Sequence, residues 1–464
     1  MSSGEVEIRP VDPRRLEPFV GAERIERLVA RAAHVREVLG DRRIVNVNST
    51  ATGGGVAELL VSLLAYTRGL GVDATWVVIE GDAEFFEITK RIHNGLYGAA
   101  GDGGELGERE REHYERVTAE NVTLLRGEVR PGDIVIVHDP QPAGLVGPLE
   151  ALGASVIWRC HVGFDGTNEW TDRAWAFLRP YVEGARAFVF TRAAFAPTWV
   201  DRVRLRVIPP SIDPFAPKNQ ELRPGEGFAL LSGAGILSAD GKRPDPRVRH
   251  RAEVFGEGGP LAARVPLVVQ VSRWDRLKDM EGVLAGFVRH VHAPDAHLVL
   301  AGPEVDGVGD DPEGGEVWRE TLAAWRALEP RDRARTHLVS IPMADFVENA
   351  LVVNALQRHA TVVVQKSLAE GFGLTVAEAL WKKRPVIASA VGGIVDQIVD
   401  GQTGLLVADP YDLEEFGRAV ERVLRDADLR ERLARNGRRY VEDHFLGDRQ
   451  LLDYATLLVE IADG

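Results

Sequence analysis

Cysteine is all but missing: Cys160 is the only one in 464 residues. That excludes an intramolecular disulfide framework and any Cys-based metal cluster. Long apolar runs are missing too. No stretch reaches the roughly 18 apolar residues of a membrane-crossing helix, and the most apolar helical pattern, Val56 to Leu70, is interrupted by Glu58 and Arg68. Positive charge is in deficit: 56 Lys and Arg against 70 Asp and Glu leave a net charge of −14. Such a balance argues against nucleic acid or an anionic membrane as the main partner, while a small anionic ligand needs only a local basic pocket. The first residues lack the basic-then-apolar pattern of a signal peptide, so a cytoplasmic location is expected. Neither a G-x-G-x-x-G fingerprint nor a Walker lysine follows the first strand, and no fixed-period repeat occurs.

What is present is an alternation of strands and helices. Hydrophobic content of 45% and charged content of 27% fit a soluble globular chain, and its length calls for two domains or more. A helical pattern at Ile25, Leu28, Val29, Ala32 and Ala33 precedes strand candidates at Ile44–Asn48, Trp76–Glu80, Ile134–His138, Val156–Cys160 and Ala187–Phe190. Four prolines between Pro209 and Pro217 make a stiff connector. A polar stretch from Ser232 to Pro260 reads as loop. A second series follows at Leu267–Val271, Leu298–Ala301, His337–Ile341, Thr361–Val364, Pro385–Ala388 and Leu405–Val407, with helices including Gly282–Val291 and Glu414–Leu433. The expectation is α/β: two Rossmann-like doubly wound domains, 1–213 and 214–446, facing an interdomain cleft. The last helix, 447–464, is left open between them, with return to the first domain as an option.

Polar residues gather where such strands end. The first strand runs into Gly53, Gly54 and Gly55, whose backbone can approach a phosphate or sugar closely; a flexible turn explains them as well. Beyond the second strand come Glu80 and then Lys90, Arg91, His93 and Asn94, a polar helix face for sugar hydroxyls or simply a solvated one. Asp139 and His161 close the third and fourth strands and point to the ligand crevice, against a structural role for either alone. Arg273 and Lys278 offer a planar fork and a point charge to a diphosphate, or an ordinary salt-bridged loop. Finally Glu370-Gly371-Phe372-Gly373-Leu374 leads into a helix containing Glu378. That corner suits an anion, because orphan N–H groups and the helix dipole favour negative charge. Thr375 and Glu378 also have the spacing of a capping box, which needs no ligand. Gly392-Gly393-Ile394 forms a further glycine corner.

Taken in order, these motifs resemble those of the retaining nucleotide-sugar glycosyltransferases of the GT-B fold, with Glu370 and Glu378 as the E-x7-E motif. More closely, Val56-Ala-Glu58, Val78-Ile-Glu80-Gly81, Phe85-Phe86, His93-Asn94, Val353-Asn-Ala-Leu-Gln357 and Glu370-Gly-Phe-Gly-Leu-Thr375 are similar to runs of the trehalose glycosyltransferring synthases. The resemblance covers nearly the whole chain and is strongest from Val268 to Gly404.

The resemblance implies that Arg273 and Lys278 hold the donor diphosphate and that Glu370 lies against the transferred glucose. Backbone groups of Gly371, Phe372, Gly373 and Leu374 help there, and Glu378 receives the ribose hydroxyls. His161, Gly54 and Gly55 surround the sugar and diphosphate, while Asp139, Glu80, Lys90, His93 and Asn94 fall on the acceptor side. Asp396 departs from the glutamate many members carry, which puts its part in donor contact in doubt. No Asp-x-Asp motif ends a strand near the donor site, so no tightly bound cofactor or metal is expected. Loosely held Mg2+ on the nucleotide sugar stays open. The implied reaction is glucosyl transfer from UDP-, ADP- or GDP-glucose to glucose, giving α,α-trehalose, with a homodimer as the prior for such an enzyme. The rivals are a trehalose phosphorylase, transfer to a phosphorylated sugar, and a non-catalytic nucleotide-sugar sensor.

Overall fold

The computed structural model describes residues 5–463 apart from 53, 240, 242, 258 and 306–311. The chain forms two units. The first comprises Met1–Ser211, Glu370–Phe372 and Phe445–Gly464, the second Ile212–Ala369 and Gly373–His444.

The first unit holds a six-stranded parallel sheet: β1 (Ile44–Asn48), β2 (Ala74–Val78), β3 (Ile134–His138), β4 (Ser155–Cys160), β5 (Ala187–Phe190) and β6 (Leu205–Val207), in the order β2-β1-β3-β4-β5-β6. Every residue of β1, β3 and β5 is buried, as expected of strands covered by helices on both faces. Strand β2 starts and stops two residues before the expected span, because its register with β1 ends at Asn48 opposite Val78. Glu80 therefore lies in the loop past the strand. In the helix Ala22–Leu39 the buried stripe is Ile25, Leu28, Ala32, Val35 and Leu39; Ala33 is exposed, since the stripe follows the 3.6-residue period. The last helix, Gly447–Asp463, packs on it. Arg24 grips the fully buried Asp448 through two bonds of 2.7 and 3.0 Å.

The second unit holds seven strands: β7 (Glu253–Phe255), β8 (Leu267–Val271), β9 (His297–Pro303), β10 (Thr336–Ile341), β11 (Val362–Gln365), β12 (Val386–Ser389) and β13 (Leu405–Val407). Their order is β13-β12-β11-β8-β9-β10-β7, parallel except for β7, which runs antiparallel to β10. Strand β7 lies inside the stretch read as loop. That stretch is anchored by the buried Glu348, whose Oε1 accepts the N–H groups of Arg249 and His250 at 2.9 and 2.7 Å, with Oε2 2.9 Å from His250 Nδ1. The single helix expected over Glu414–Leu433 is two helices, Leu413–Arg425 and Ala427–His444. Asp426 between them is extended, at φ −102° and ψ 99°, and its Oδ1 accepts the Leu429 N–H at 2.9 Å to cap the second helix.

Among the described residues no helix is long and apolar enough to cross a membrane.

Candidate functional site

In the first unit the middle of β1 and the carboxyl ends of β3 and β4 converge on one buried polar cluster. Asn46 on β1, His138 on β3 and His161 just past β4 form a chain: Asn46 Oδ1 is 3.0 Å from His138 Nε2, and His138 Nδ1 is 3.1 Å from His161 Nε2. The two imidazoles are nearly parallel, 16° apart in plane. Burial holds both neutral. It brings His138 down to about 3 and His161 well below the ordinary histidine value, with Arg159 adding to each shift. Asp139 follows β3 in a left-handed conformation, φ 66°. Its N–H donates to the Arg159 carbonyl at 2.7 Å, and its Oδ1 accepts the His161 N–H at 2.7 Å. That bond orients the carboxyl and fixes the His161 backbone together. Burial pushes the Asp139 carboxyl up to about 7, against the His161 N–H and the Arg159 charge, which favour the ionised form.

Around this cluster the other expected residues occupy separate places. Glu80 is exposed, with its backbone clasped by the Asn121 side chain at 2.8 and 2.7 Å. Lys90, His93 and Asn94 lie on the helix Ala83–Leu96, capped by Asp82. Lys90 and His93 are partly exposed, with the His93 ring edge-on to Tyr97 at 5.1 Å, whereas Asn94 is buried. Arg91 is paired with Asp102 at 2.7 Å. Gly53 lies outside the described residues. Gly54, at φ 80°, begins the helix Gly55–Gly69 without a side-chain cap. Asn48 steadies the loop before it, taking Trp76 Nε1–H at 2.7 Å and donating to the Thr50 carbonyl at 2.8 Å. Glu370, Gly371 and Phe372, grouped with this unit, are buried.

In the second unit the loop after β8 carries Arg273 and Lys278. Asp275 organises it: its carboxylate takes Arg273 Nη2 at 3.3 Å and the Leu277 N–H at 2.9 Å, and its carbonyl takes the Lys278 N–H at 2.9 Å. Gln270 on β8 then joins this loop to the end of β11. Its Nε2 donates to the Lys278 carbonyl at 2.8 Å, and its Oε1 accepts the Lys366 N–H at 3.1 Å. Lys366 is fully buried and ion-paired with Asp279. Asp279, left-handed at φ 48°, also caps the helix Met280–His290 through Gly282 N–H at 3.1 Å. Burial raises the Asp279 carboxyl and the Lys366 charge opposes that rise.

Gly373, at φ 87°, is the N-cap of the helix Leu374–Trp381. This overturns the capping-box reading. The left-handed glycine starts the helix ahead of Thr375, whose hydroxyl donates instead to Gln365 Oε1 at 2.9 Å. Glu378 is therefore not committed to a cap. It sits further along the helix, 3% exposed, with Oε1 4.0 Å from Lys218 Nζ. Gln397 Nε2 reaches the carbonyls of Gly373 and Gly393, both at 3.4 Å, so the two glycine corners share a brace. Asp396 ends the 3-10 turn Gly392–Asp396 and is exposed; its carbonyl accepts the Tyr440 hydroxyl at 3.2 Å.

Sequence reasoning passed over Asn46, His138 as a partner of His161, Gln270 and the Lys366–Asp279 pair. The available signal was a polar residue inside an otherwise apolar strand, as with Asn46 and Gln270, or directly after one, as with Lys366.

A family model for the trehalose synthase N-terminal domain matches residues 46–197, and one for glycosyl transferases group 1 matches 259–440. The trehalose synthase of Pyrococcus horikoshii is 36% identical over 416 residues, 89% of this chain and 87% of that protein. The chain belongs to the trehalose synthase family. The trehalose synthase of Thermococcus litoralis is 34% identical across 96% of this chain and 97% of its own length. A trehalose phosphorylase of Pleurotus pulmonarius is 25% identical across 85% of this chain but 54% of its own. Among solved structures, sucrose-phosphate synthase from Thermosynechococcus elongatus matches with a TM-score of 0.64 at 19% identity, covering 90% of this chain and 98% of that one. The trehalose-6-phosphate protein from E. coli bound with UDP-2-fluoro glucose matches at 0.68 and 14%, covering 90% and 99%. At these identities the likeness is one of fold, and that fold is GT-B. The chain is thus a trehalose-related glycosyltransferase.

Proposed function

We propose that this trehalose synthase family member transfers glucose, with retention, from a nucleoside-diphosphate glucose to free glucose, forming α,α-trehalose. The observation that carries the donor half is Glu378. A carboxylate buried beyond the first turn of a glycine-capped helix can accept from both ribose hydroxyls, and Thr375 does not draw it into a cap. Arg273 and Lys278 take the diphosphate, each held by Asp275 or Gln270 in a fixed loop. The backbone of Gly371, Phe372, Gly373 and Leu374, like that of Gly54 and Gly55, meets phosphate or sugar oxygens without a side chain intervening. Glu370 and His161 lie against the transferring glucose, and Asp139, Glu80, Lys90, His93 and Asn94 receive the acceptor. Pairing of Arg91 with Asp102 engages one of the two cations of this helix face, which supports an uncharged acceptor over a sugar phosphate.

The acceptor hydroxyl attacks the anomeric carbon from the face the diphosphate leaves. The carbon–oxygen bond to the diphosphate breaks through an oxocarbenium-like state, and the departing phosphate oxygen takes the hydroxyl proton. Cationic side chains and helix ends stabilise the charge on that leaving group. Mg2+ accompanying the nucleotide sugar would add to the same stabilisation.

Glu378→Gln tests the reading against the phosphate-dependent alternative suggested by the phosphorylase relatives. Loss of a charged hydrogen bond to ribose should weaken nucleoside-diphosphate binding roughly tenfold or more, while binding of inorganic phosphate stays as it was. Unchanged nucleotide affinity in a variant that melts normally would remove ribose from the picture.

A further inference from the structure

Asn46 stands in the middle of β1, 2% exposed, among apolar neighbours. A buried amide in that position must find partners for both its ends. Its Nδ2 lies 3.5 Å from the Thr75 carbonyl, and its Oδ1 lies 3.0 Å from His138 Nε2. A carbonyl oxygen only accepts, so the NH2 faces Thr75 and the oxygen faces His138. That oxygen must be met by an N–H, which places the His138 proton on Nε2. A neutral imidazole then has a bare Nδ1, 3.1 Å from His161 Nε2. Two bare nitrogens cannot bond, so His161 also carries its proton on Nε2. Its Nδ1 is left as a lone-pair acceptor. The burial that keeps both rings neutral prevents a second proton from erasing this order.

We propose that Asn46 and His138 are positioning residues that lock His161 in its Nε2–H tautomer, so that His161 Nδ1 meets the transferring glucose as an acceptor from one sugar hydroxyl. The relay runs from the Thr75 carbonyl through Asn46 and His138 to His161. The sugar half rests on the placement of His161 against the transferring glucose; the tautomer half does not. The Asp139 bond to the His161 N–H fixes the backbone in the same site, so the adjacent residues His138 and Asp139 at the end of β3 orient ring and main chain together.

The locked tautomer has a chemical signature. Fluorine accepts hydrogen bonds and cannot donate them. A bare Nδ1 should therefore reject a donor whose contacted hydroxyl is replaced by fluorine as strongly as one in which it is replaced by hydrogen, by roughly tenfold in donor Kd; affinity is the readout because fluorine also slows the oxocarbenium-like step by withdrawing electrons. Asn46→Leu removes the oxygen that orders His138. His161 is then free to present Nδ1–H, and the penalty against the fluoro donor should shrink several-fold while the deoxy penalty persists. A residue that merely held the fold would not change the ratio of those two penalties.

The experiment has two arms. Long-range 15N–1H spectra of the full chain, with His138 and His161 assigned through His138→Gln and His161→Gln, should show both Nδ1 atoms unprotonated and both Nε2 atoms protonated in the wild type, with a mixture at His161 in Asn46→Leu. Binding titrations with nucleoside-diphosphate glucoses, each carrying one hydroxyl-to-fluorine or hydroxyl-to-hydrogen change, should show the narrowing described. A wild-type His161 protonated on Nδ1 would overturn the proposal, as would an unchanged fluoro-to-deoxy ratio in Asn46→Leu. Should that variant fail to fold, the wild-type spectrum alone decides the tautomer. If the tautomers are as stated and no donor is turned over, it is the proposed function that fails.

Discussion

Lys366→Met tests whether the loop after β8 in the second unit rests on a buried charge pair. Lys366 is fully buried, and its partner Asp279 has a side chain 20% exposed. Breaking a buried pair by removing one member costs about 3–5 kcal/mol, because the other charge stays behind in a poor solvent. Asp279 keeps some water and its Gly282 N–H bond, so the cost falls somewhat below that range, at about 2–3 kcal/mol. For a domain of this size that is a fall of about 5–10 °C in the melting transition of the second unit. Calorimetry reads it directly. The sign with pH is also set. Burial already raises the Asp279 carboxyl, and a raised carboxyl favours folding at low pH and loses that contribution as pH rises through its folded value. Without Lys366 the rise is larger, so the deficit should be smaller near pH 4.5 than at pH 8. Asp279→Asn added to Lys366→Met should recover most of the loss, since no charge is then stranded. A single variant within about 1 kcal/mol of wild type, or a double variant as unstable as the single, would refute the reasoning.

Two further outcomes are expected. The Asp139 carboxyl, raised to about 7 by burial, makes a contribution that favours folding below about pH 4 and is lost as pH rises to about 7; the stability gap between Asp139→Asn and wild type should widen across that window in the variant's favour, on the order of 2 kcal/mol, and urea melts at stepped pH would expose a flat gap. Glu348→Ala removes the acceptor of the Arg249 and His250 N–H groups, so trypsin should cut at Arg247, Arg249 or Arg251 many times faster than in wild type, and an unchanged digestion pattern would show that Glu348 does not hold the segment.

How much could be read beforehand follows from where each signal resides. Strands buried on both faces, such as Ile134–Val137 and Leu267–Val269, announce themselves as unbroken apolar runs, so both sheets were legible. Of the three-residue edge strands only Leu405–Val407, apolar throughout, was legible; Leu205–Val207 and Glu253–Phe255 each carry a charged residue, and only pairing with β5 and β10 makes them strands. The break at Asp426 hid because Glu414–Leu433 keeps helical periodicity across it. At the site, residues ending strands were visible one by one, whereas their partners were not. His138 meets Asn46 across 92 residues, and Lys366 meets Asp279 across 87. Nothing local couples such positions; the crossover topology does. The Thr375 error has the same root, because its hydroxyl was claimed by Gln365 on a strand rather than by its own helix.

The most direct measurement is a donor-by-acceptor matrix with identified products. UDP-, ADP- and GDP-glucose would each be incubated with glucose, with glucose 6-phosphate and with no acceptor, beside trehalose plus inorganic phosphate. The account predicts α,α-trehalose and free nucleoside diphosphate in stoichiometric amounts from at least one donor with glucose, and little or no product from the sugar phosphate. No nucleoside diphosphate released with any donor, while trehalose and phosphate yield glucose 1-phosphate, would contradict it.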